Sequence, residues 1–390
     1  MARQFKETVF FVLVALLVVG IAIAGFSGKV KAQAKAPIKV GVVAPLSGNS
    51  ADMGIPVKEA VELAFKELNE KGGISGRKVE LIVFDDEAKP DKGTSLVQRL
   101  IENDKVVAVL GPCNTAVALA TVKVTQQAKV PQIVPVAQDP RVLDPIHPYT
   151  FRVTETFVDD AKKIVDYLIA TGYKKPALIY DSTASGLGGK AVIKKLLEEK
   201  GMPLVAETTH DLGVTDMTAQ TISLRKAQPD VVITWSLGAE VAMFMKTLKQ
   251  VGWVVPVVGH RGLAFPILLK LGGSAVEGMI FTDAIDENKS ETKTFLDKFQ
   301  KVHGWRPDQN AFAALGWDAA QVLILGLTKA NSDDRTKVRD AIESIEKHVG
   351  AGGRAGSYIS FSPTKHEGPT GNFVVMRTIK GGKFVTLEKQ

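Results

Sequence analysis

The chain has 390 residues, of which 45% are hydrophobic and 23% charged, with a formal net charge of +7. That length suits two domains of ordinary size, and the mix is that of a globular protein, which excludes a disordered chain, a collagen-like repeat and a multi-span membrane protein. The single cysteine, Cys113, excludes an intramolecular disulfide and a cysteine-based zinc site.

Residues 1–34 read as a secretory signal. Arg3 and Lys6 open it, an apolar run extends from Val9 to Ala24, and Ala32-Gln33-Ala34 is a small-x-small cleavage site, with Ala22-Ile23-Ala24 as a second candidate. The run is shorter than the roughly 20 residues of a membrane-spanning helix. The alternative is an uncleaved N-terminal anchor. Cleavage after Ala34 would lower the net charge to +4, too mild to point to nucleic acid.

Strand and helix then alternate. Ile38–Ala44 is a strand, and Val57, Ala60, Val61, Ala64, Phe65 and Leu68 recur on one helical face that ends at Lys71-Gly72-Gly73. Val79–Phe84 is the next strand, Leu96 to Ile101 a second helix, and Val106–Leu110 a strand buried on both faces. The motif restarts at Ala177–Tyr180, with a helix after Gly189, a further run at Pro203–Ala206, and strands at Pro229–Trp235 and Val254–Gly259. Strands separated by amphipathic helices imply βαβ units and parallel sheets, here in two successive blocks that touch along a cleft. Residues 285–362 are mostly helical, have too few strands for a sheet of their own, and should pack back onto one of the blocks.

Several motifs carry little chemistry. Gly186-Leu187-Gly188-Gly189-Lys190-Ala191 fits G-x-G-x-x-A, but Asp181 to Ser185 separates it from its strand, too long for a dinucleotide-binding turn. Asp85-Asp86-Glu87 reads as a solvated loop and helix start rather than an acid–base pair. The six histidines are scattered without metal-ligand spacing, and no nucleophile elbow or phosphate loop occurs. No cofactor is expected.

The strand ends are more informative. Gly111–Ala116 follows a buried strand and starts a helix near Thr115. The free N–H groups and the Thr115 hydroxyl could seat a carboxylate, or the turn is a plain helix cap. Cys113 reads as a small buried filler. Val136-Ala137-Gln138 ends another strand at the same crevice. Ser185, Ser236-Leu237 and His260-Arg261-Gly262 end strands of the second block and would face it, as ligands of open α/β sheets bind beyond the carboxyl ends of strands.

The sequence resembles the periplasmic leucine/isoleucine/valine-binding proteins, the type I solute-binding subunits of ATP-driven (ABC) importers, over essentially the whole chain after residue 34. The resemblance rests on Ile38-Lys39-Val40-Gly41 with Pro45-Leu46-Ser47-Gly48, Gly54, Asn69-Glu70-Lys71-Gly72-Gly73-Ile74, Leu110-Gly111-Pro112, Val130-Pro131-Gln132-Ile133, Phe151-Arg152-Val153 and Val276-Glu277-Gly278-Met279, in order. It implies an α/β fold of two Rossmann-like lobes joined by three hinge crossovers near 155, 284 and 363. Lobe 1 would comprise 37–155 plus 285–362, and lobe 2 would comprise 156–284 plus 363–390.

By the same resemblance, the ligand-binding residues are Met53, Thr115, Val136, Ala137, Gln138, Ser185, Leu237 and Arg261. Thr115 matches the family's carboxylate-holding hydroxyl, and Gln138 stands where Thr or Ser is usual. Met53 stands where an aromatic often covers the ligand, and Ser185 where a tyrosine is usual. Arg261 replaces a carboxylate that commonly receives an ammonium group. Either it attracts an anion or it turns to solvent or to a protein carboxylate. The first reading favours a small organic acid, aromatic or branched aliphatic, over a plain branched-chain amino acid. The expectation is a non-enzymatic, monomeric, periplasmic binder of an amino acid or organic acid, with a membrane ABC permease as partner. The alternatives are a membrane-anchored sensing ectodomain and a nucleotide-dependent enzyme.

Overall fold

Two sheets arise from the two blocks of alternating strand and helix, in a computed structural model that describes residues 36–307 and 311–387. The expected export signal lies outside the described residues. Among the described residues no helix is long and apolar enough to cross a membrane.

The first sheet contains β1 (Ile38–Ala44), β2 (Val79–Asp85), β3 (Ala108–Leu110), β4 (Gln132–Val134) and β5 (Thr150–Arg152), in the order β2-β1-β3-β4-β5. Every pairing is parallel. Helices α1 (Ala51–Glu70), α2 (Pro90–Glu102) and α3 (Thr115–Gln127) provide the crossovers. Pro90 begins α2, where its missing N–H costs no hydrogen bond. The chain leaves β1 in one direction to form β2, then returns past β1 to form β3. The ends of β1 and β3 therefore border a topological switch point, where an open α/β sheet leaves a crevice.

A capping box starts α4 (Phe157–Thr171). The Thr156 hydroxyl accepts from the Asp159 N–H at 3.3 Å, and the Asp159 carboxylate accepts from the Thr156 N–H at 2.8 Å. The second sheet is built from β6 (Pro176–Asp181), β7 (Ala206–His210), β8 (Val231–Trp235), β9 (Val257–Gly259) and β10 (Ile280–Asp283). Its crossovers include α5 (Ala184–Glu199), α6 (Thr218–Lys226), α7 (Gly238–Gln250) and α8 (Pro266–Gly272). Strands β7-β6-β8-β9-β10 are parallel, and the switch point lies between the ends of β6 and β8.

The helical stretch packs onto the first sheet. It contains α9 (Ser290–His303), α10 (Phe312–Ala330) and α11 (Arg335–Glu343). Val322, Leu323, Leu327, Val338 and Ile342 join Val40, Val42 and Ile133 in one core, and the Arg335 guanidinium donates to the Val106 carbonyl at 2.8 Å. A two-stranded ladder of β11 (Tyr358–Ile359) and β12 (Pro369–Thr370) follows. The chain then completes the second sheet with antiparallel β13 (Val375–Lys380) and β14 (Lys383–Thr386). The turn between them places Gly381 at φ 59° and Gly382 at φ 70°, the backbone that a two-residue hairpin demands.

Three local expectations change. The last passage between the sheets falls between Thr370 and Val375 rather than near 363, because the Arg152 N–H donates to the His366 carbonyl at 3.0 Å and the Gly368 N–H to the Arg152 carbonyl at 2.8 Å. Helix α5 starts at Ala184, so the glycines of 186–191 lie inside it. A Cβ on Gly189 would sit 1.8 Å from the Trp235 indole nitrogen, so this glycine permits close helix-to-strand packing. Asp86 is not solvated. It is 0% exposed, its Oδ1 accepts from the Ala88 N–H at 2.8 Å, and its Oδ2 is buried without a hydrogen-bond partner among the described residues.

Candidate functional site

The ends of the two sheets converge on a cavity containing about 910 Å³ of empty space, part of it open to solvent. All eight expected residues line it. The size suits a small ligand.

On the first sheet's side, the seat is the start of α3. The N-cap residue Asn114 has extended backbone and supplies no side-chain cap. The first N–H groups of the helix thus lack the partners that a capping side chain would give. Thr115 follows, 7% exposed, with no hydrogen-bond partner for its hydroxyl among the described residues. Helix dipole, open N–H groups and a hydroxyl together suit a carboxylate. Cys113 is buried beside this turn, and burial pushes its thiol well above the ordinary value. The segment Val136-Ala137-Gln138 is held from behind by buried Arg152, whose Nη1 donates to the Ala137 carbonyl at 3.0 Å and the Asp139 carbonyl at 2.8 Å. Met53 comes from the first turn of α1 and adds apolar wall.

On the second sheet's side, Leu237 precedes α7 and Ser185 lies in the first turn of α5. His260 packs flat on Trp235 at 4.6 Å, and its Nδ1 accepts from the Gly262 N–H at 3.2 Å. Burial, with Arg261 adjacent, pushes the His260 ring down to about 3, so it is a neutral structural group.

Arg261 is 2% exposed and turns to a protein carboxylate. Its Nη1 lies 2.9 Å from Glu155 Oε1 and donates to Thr154 Oγ1 at 2.5 Å, while Nη2 donates to the Val136 carbonyl at 2.6 Å. Glu155 also accepts from Thr154 at 2.7 Å and from Gln138 Nε2 at 2.9 Å. Gln138 Nε2 reaches Asp160 Oδ2 at 2.6 Å as well, so both amide protons serve the hinge rather than the cavity. Burial pushes the Glu155 carboxyl up and Arg261 pulls it back. Burial, then Glu155, pushes Asp160 well above its ordinary value. The expected anion receptor is therefore already matched by Glu155, and the pair links the second sheet's turn to the first crossover.

Strand-end reasoning missed several lining residues. Phe312 comes from α10, far along the chain, and stacks obliquely on Phe265 with centroids 5.0 Å apart. Phe157, Leu212 and Asn114 also line the cavity. Asp181 does too, and its position at the end of β6 was the available signal. It is 2% exposed and its Oδ1 accepts from the Thr183 N–H at 3.0 Å and from the Thr183 hydroxyl.

Comparison with known proteins agrees with this architecture. The family profile described as "Periplasmic binding protein" matches residues 37–383. Leu/Ile/Val-binding protein homolog 3 of Brucella melitensis is 29% identical over 322 residues, covering 81% of this chain and 87% of its own. Leu/Ile/Val-binding protein homolog 2 of Brucella abortus is 30% identical over 312 residues, covering 79% and 82%. The crystal structure of a type 1 periplasmic binding protein from Bordetella pertussis matches with a TM-score of 0.83 at 26% identity, over 90% of this chain and 99% of that one.

Proposed function

The chain belongs to the periplasmic binding protein family, and on that premise we propose that it is the exported solute-binding subunit of an ABC importer of the branched-chain-amino-acid type. It captures a small carboxylate-bearing solute between its lobes and leaves the solute's bonds intact. The observation that supports this reading is the cavity between the two switch points, bordered by the start of α3, which has no side-chain cap, and by the Thr115 hydroxyl, which has no partner among the described residues. Met53, Val136, Ala137, Leu237 and Phe312 supply the apolar wall, with Gln138, Ser185 and Arg261 at its polar margin.

A ligand touching both lobes stabilises the closed form by its differential contacts. The closed form is what a membrane permease would read. The protein works as a monomer in the periplasm, with no nucleic acid or cofactor. The relatives named for leucine, isoleucine and valine support a ligand of amino-acid size. Thermal-shift screening against amino acids and their deaminated counterparts tests the reading. At least one small carboxylate should raise the melting temperature in proportion to the logarithm of its concentration. A flat response to the whole panel, or recovery of a chemically altered solute, would overturn it.

A further inference from the structure

The hinge buries one more carboxyl group than its guanidiniums match. Each buried arginine there already has a carboxylate. Arg261 lies 2.9 Å from Glu155, and Arg152 on β5 lies 2.7 Å from Glu367. Arg377 on β13 lies 2.9 Å from Asp283 on β10 and 3.7 Å from Glu287. Asp160, in the first turn of α4, has no such partner. It is 0% exposed and makes no ion pair among the described residues. Its Oδ2 accepts from Gln138 Nε2 at 2.6 Å, and its Oδ1 is buried without a hydrogen-bond partner among the described residues. The same Gln138 nitrogen donates to Glu155 Oε1 at 2.9 Å, so one amide group bridges two carboxyls. The other neighbours add no positive charge. The Thr282 hydroxyl on β10 faces Asp160, Asp159 on α4 is turned to the Thr156 N–H at 2.8 Å, and His260 beside Arg261 is neutral.

We propose that closing the lobes takes up a proton into the Glu155–Asp160 pair, so that the protein grips its solute more tightly as the pH falls. This rests on the binding function proposed above and adds its regulation. The cluster is assembled from both sides of the hinge. Gln138 follows β4 of the first sheet, Asp160 and Arg261 belong to elements of the second, and Glu155 lies on the crossover between them. Closure buries two carboxyls at one amide, where a second ionised group costs far more than in water. Opening admits water and lets both ionise, so the pair acts as a shared site for one proton. In the closed form burial, then Glu155, holds Asp160 well above its ordinary value. A proton held more tightly in the closed form favours closure. That contribution is fully present below the ordinary carboxylate range, about 4, and is lost as the pH rises through the raised value. Asp160 does not line the cavity, so it acts on the hinge rather than on the solute.

The test is titration calorimetry of the mature protein with whichever of leucine, isoleucine, valine, phenylalanine and their deaminated acids binds most tightly. It is run at about pH 7.5, where His260 is neutral whether the lobes are open or closed, in phosphate and in Tris. The two buffers differ in heat of ionisation, so the difference in binding heat counts the protons taken up. Binding should take up about half to one proton, and the affinity should rise about 5-fold or more from about pH 8.5 to about pH 7. Asp160→Asn, which removes the charge but keeps an acceptor for Gln138, should abolish the uptake and flatten the pH profile. Asp160→Ser serves if Asp160→Asn does not fold. Asp86 is unchanged in both variants, so its own titration does not mimic the effect. No proton uptake by the wild type, or uptake that persists in a folded Asp160 variant, would overturn the inference while leaving a binding protein. No binding of any solute in the panel would overturn the parent reading as well.

Discussion

Thr115 and Glu155 govern the site through different physics. Among the described residues the Thr115 hydroxyl has no protein partner, so on the proposed reading Thr115→Val deletes a hydrogen bond that only the ligand makes. Bonds to charged groups are worth about 1.5–3 kcal/mol. Titration calorimetry should therefore show a roughly 10- to 100-fold loss of carboxylate affinity with little change in the melting temperature of the free protein. Glu155→Gln acts instead through Arg261, leaving a buried guanidinium without its counter-charge. Breaking such pairs costs about 3–5 kcal/mol. The variant should melt at a lower temperature, measured by calorimetry, and bind deaminated acids relatively better than the wild type does. Asp86 supplies a pH dependence. Burial raises its carboxyl from 3.8 to about 6, so the folded state binds the proton more tightly than the unfolded chain. Its contribution is fully present below pH about 4, is lost as the pH rises through 6 and stays lost above, a change of about 3 kcal/mol. Asp86→Asn should raise the melting temperature at pH 7.5 and lose that advantage at pH 4.

Among the elements, the close contact of α5 and β8 offers a sharp check. A methyl group on Gly189 would fall 1.8 Å from Trp235, and overpacking of this kind costs about 1–3 kcal/mol or more. Gly189→Ala should lower the urea midpoint without changing the ligand preference, since Gly189 does not line the cavity. Most elements were legible in the sequence. Runs such as Val106–Leu110 and Pro229–Trp235 are apolar because both faces of those strands are covered, and period-3.6 spacing marked α1 and α2. The start of α5 was hidden because glycines usually punctuate helices, whereas here one is required by an indole. The eight expected residues line one cavity because strand ends of such sheets converge by topology. The partner of Arg261 was not legible, since Glu155 lies 106 positions away in the chain and only the tertiary fold brings the two together. Phe312 was hidden for the same reason.

For the whole molecule, the central claim is a reversible clamp. Arg261 reaches from the second sheet's turn to Val136 and Thr154 on the first sheet's side, so the structure has its lobes drawn together around the cavity. Opening must break these bonds, and a ligand held by both lobes must oppose that opening. The most direct measurement is small-angle X-ray scattering of the mature protein without ligand and saturated with a solute that raises its melting temperature. The account predicts a smaller radius of gyration in the saturated sample, with the lobes closed as in this structure. An identical scattering profile with and without such a bound solute would contradict it.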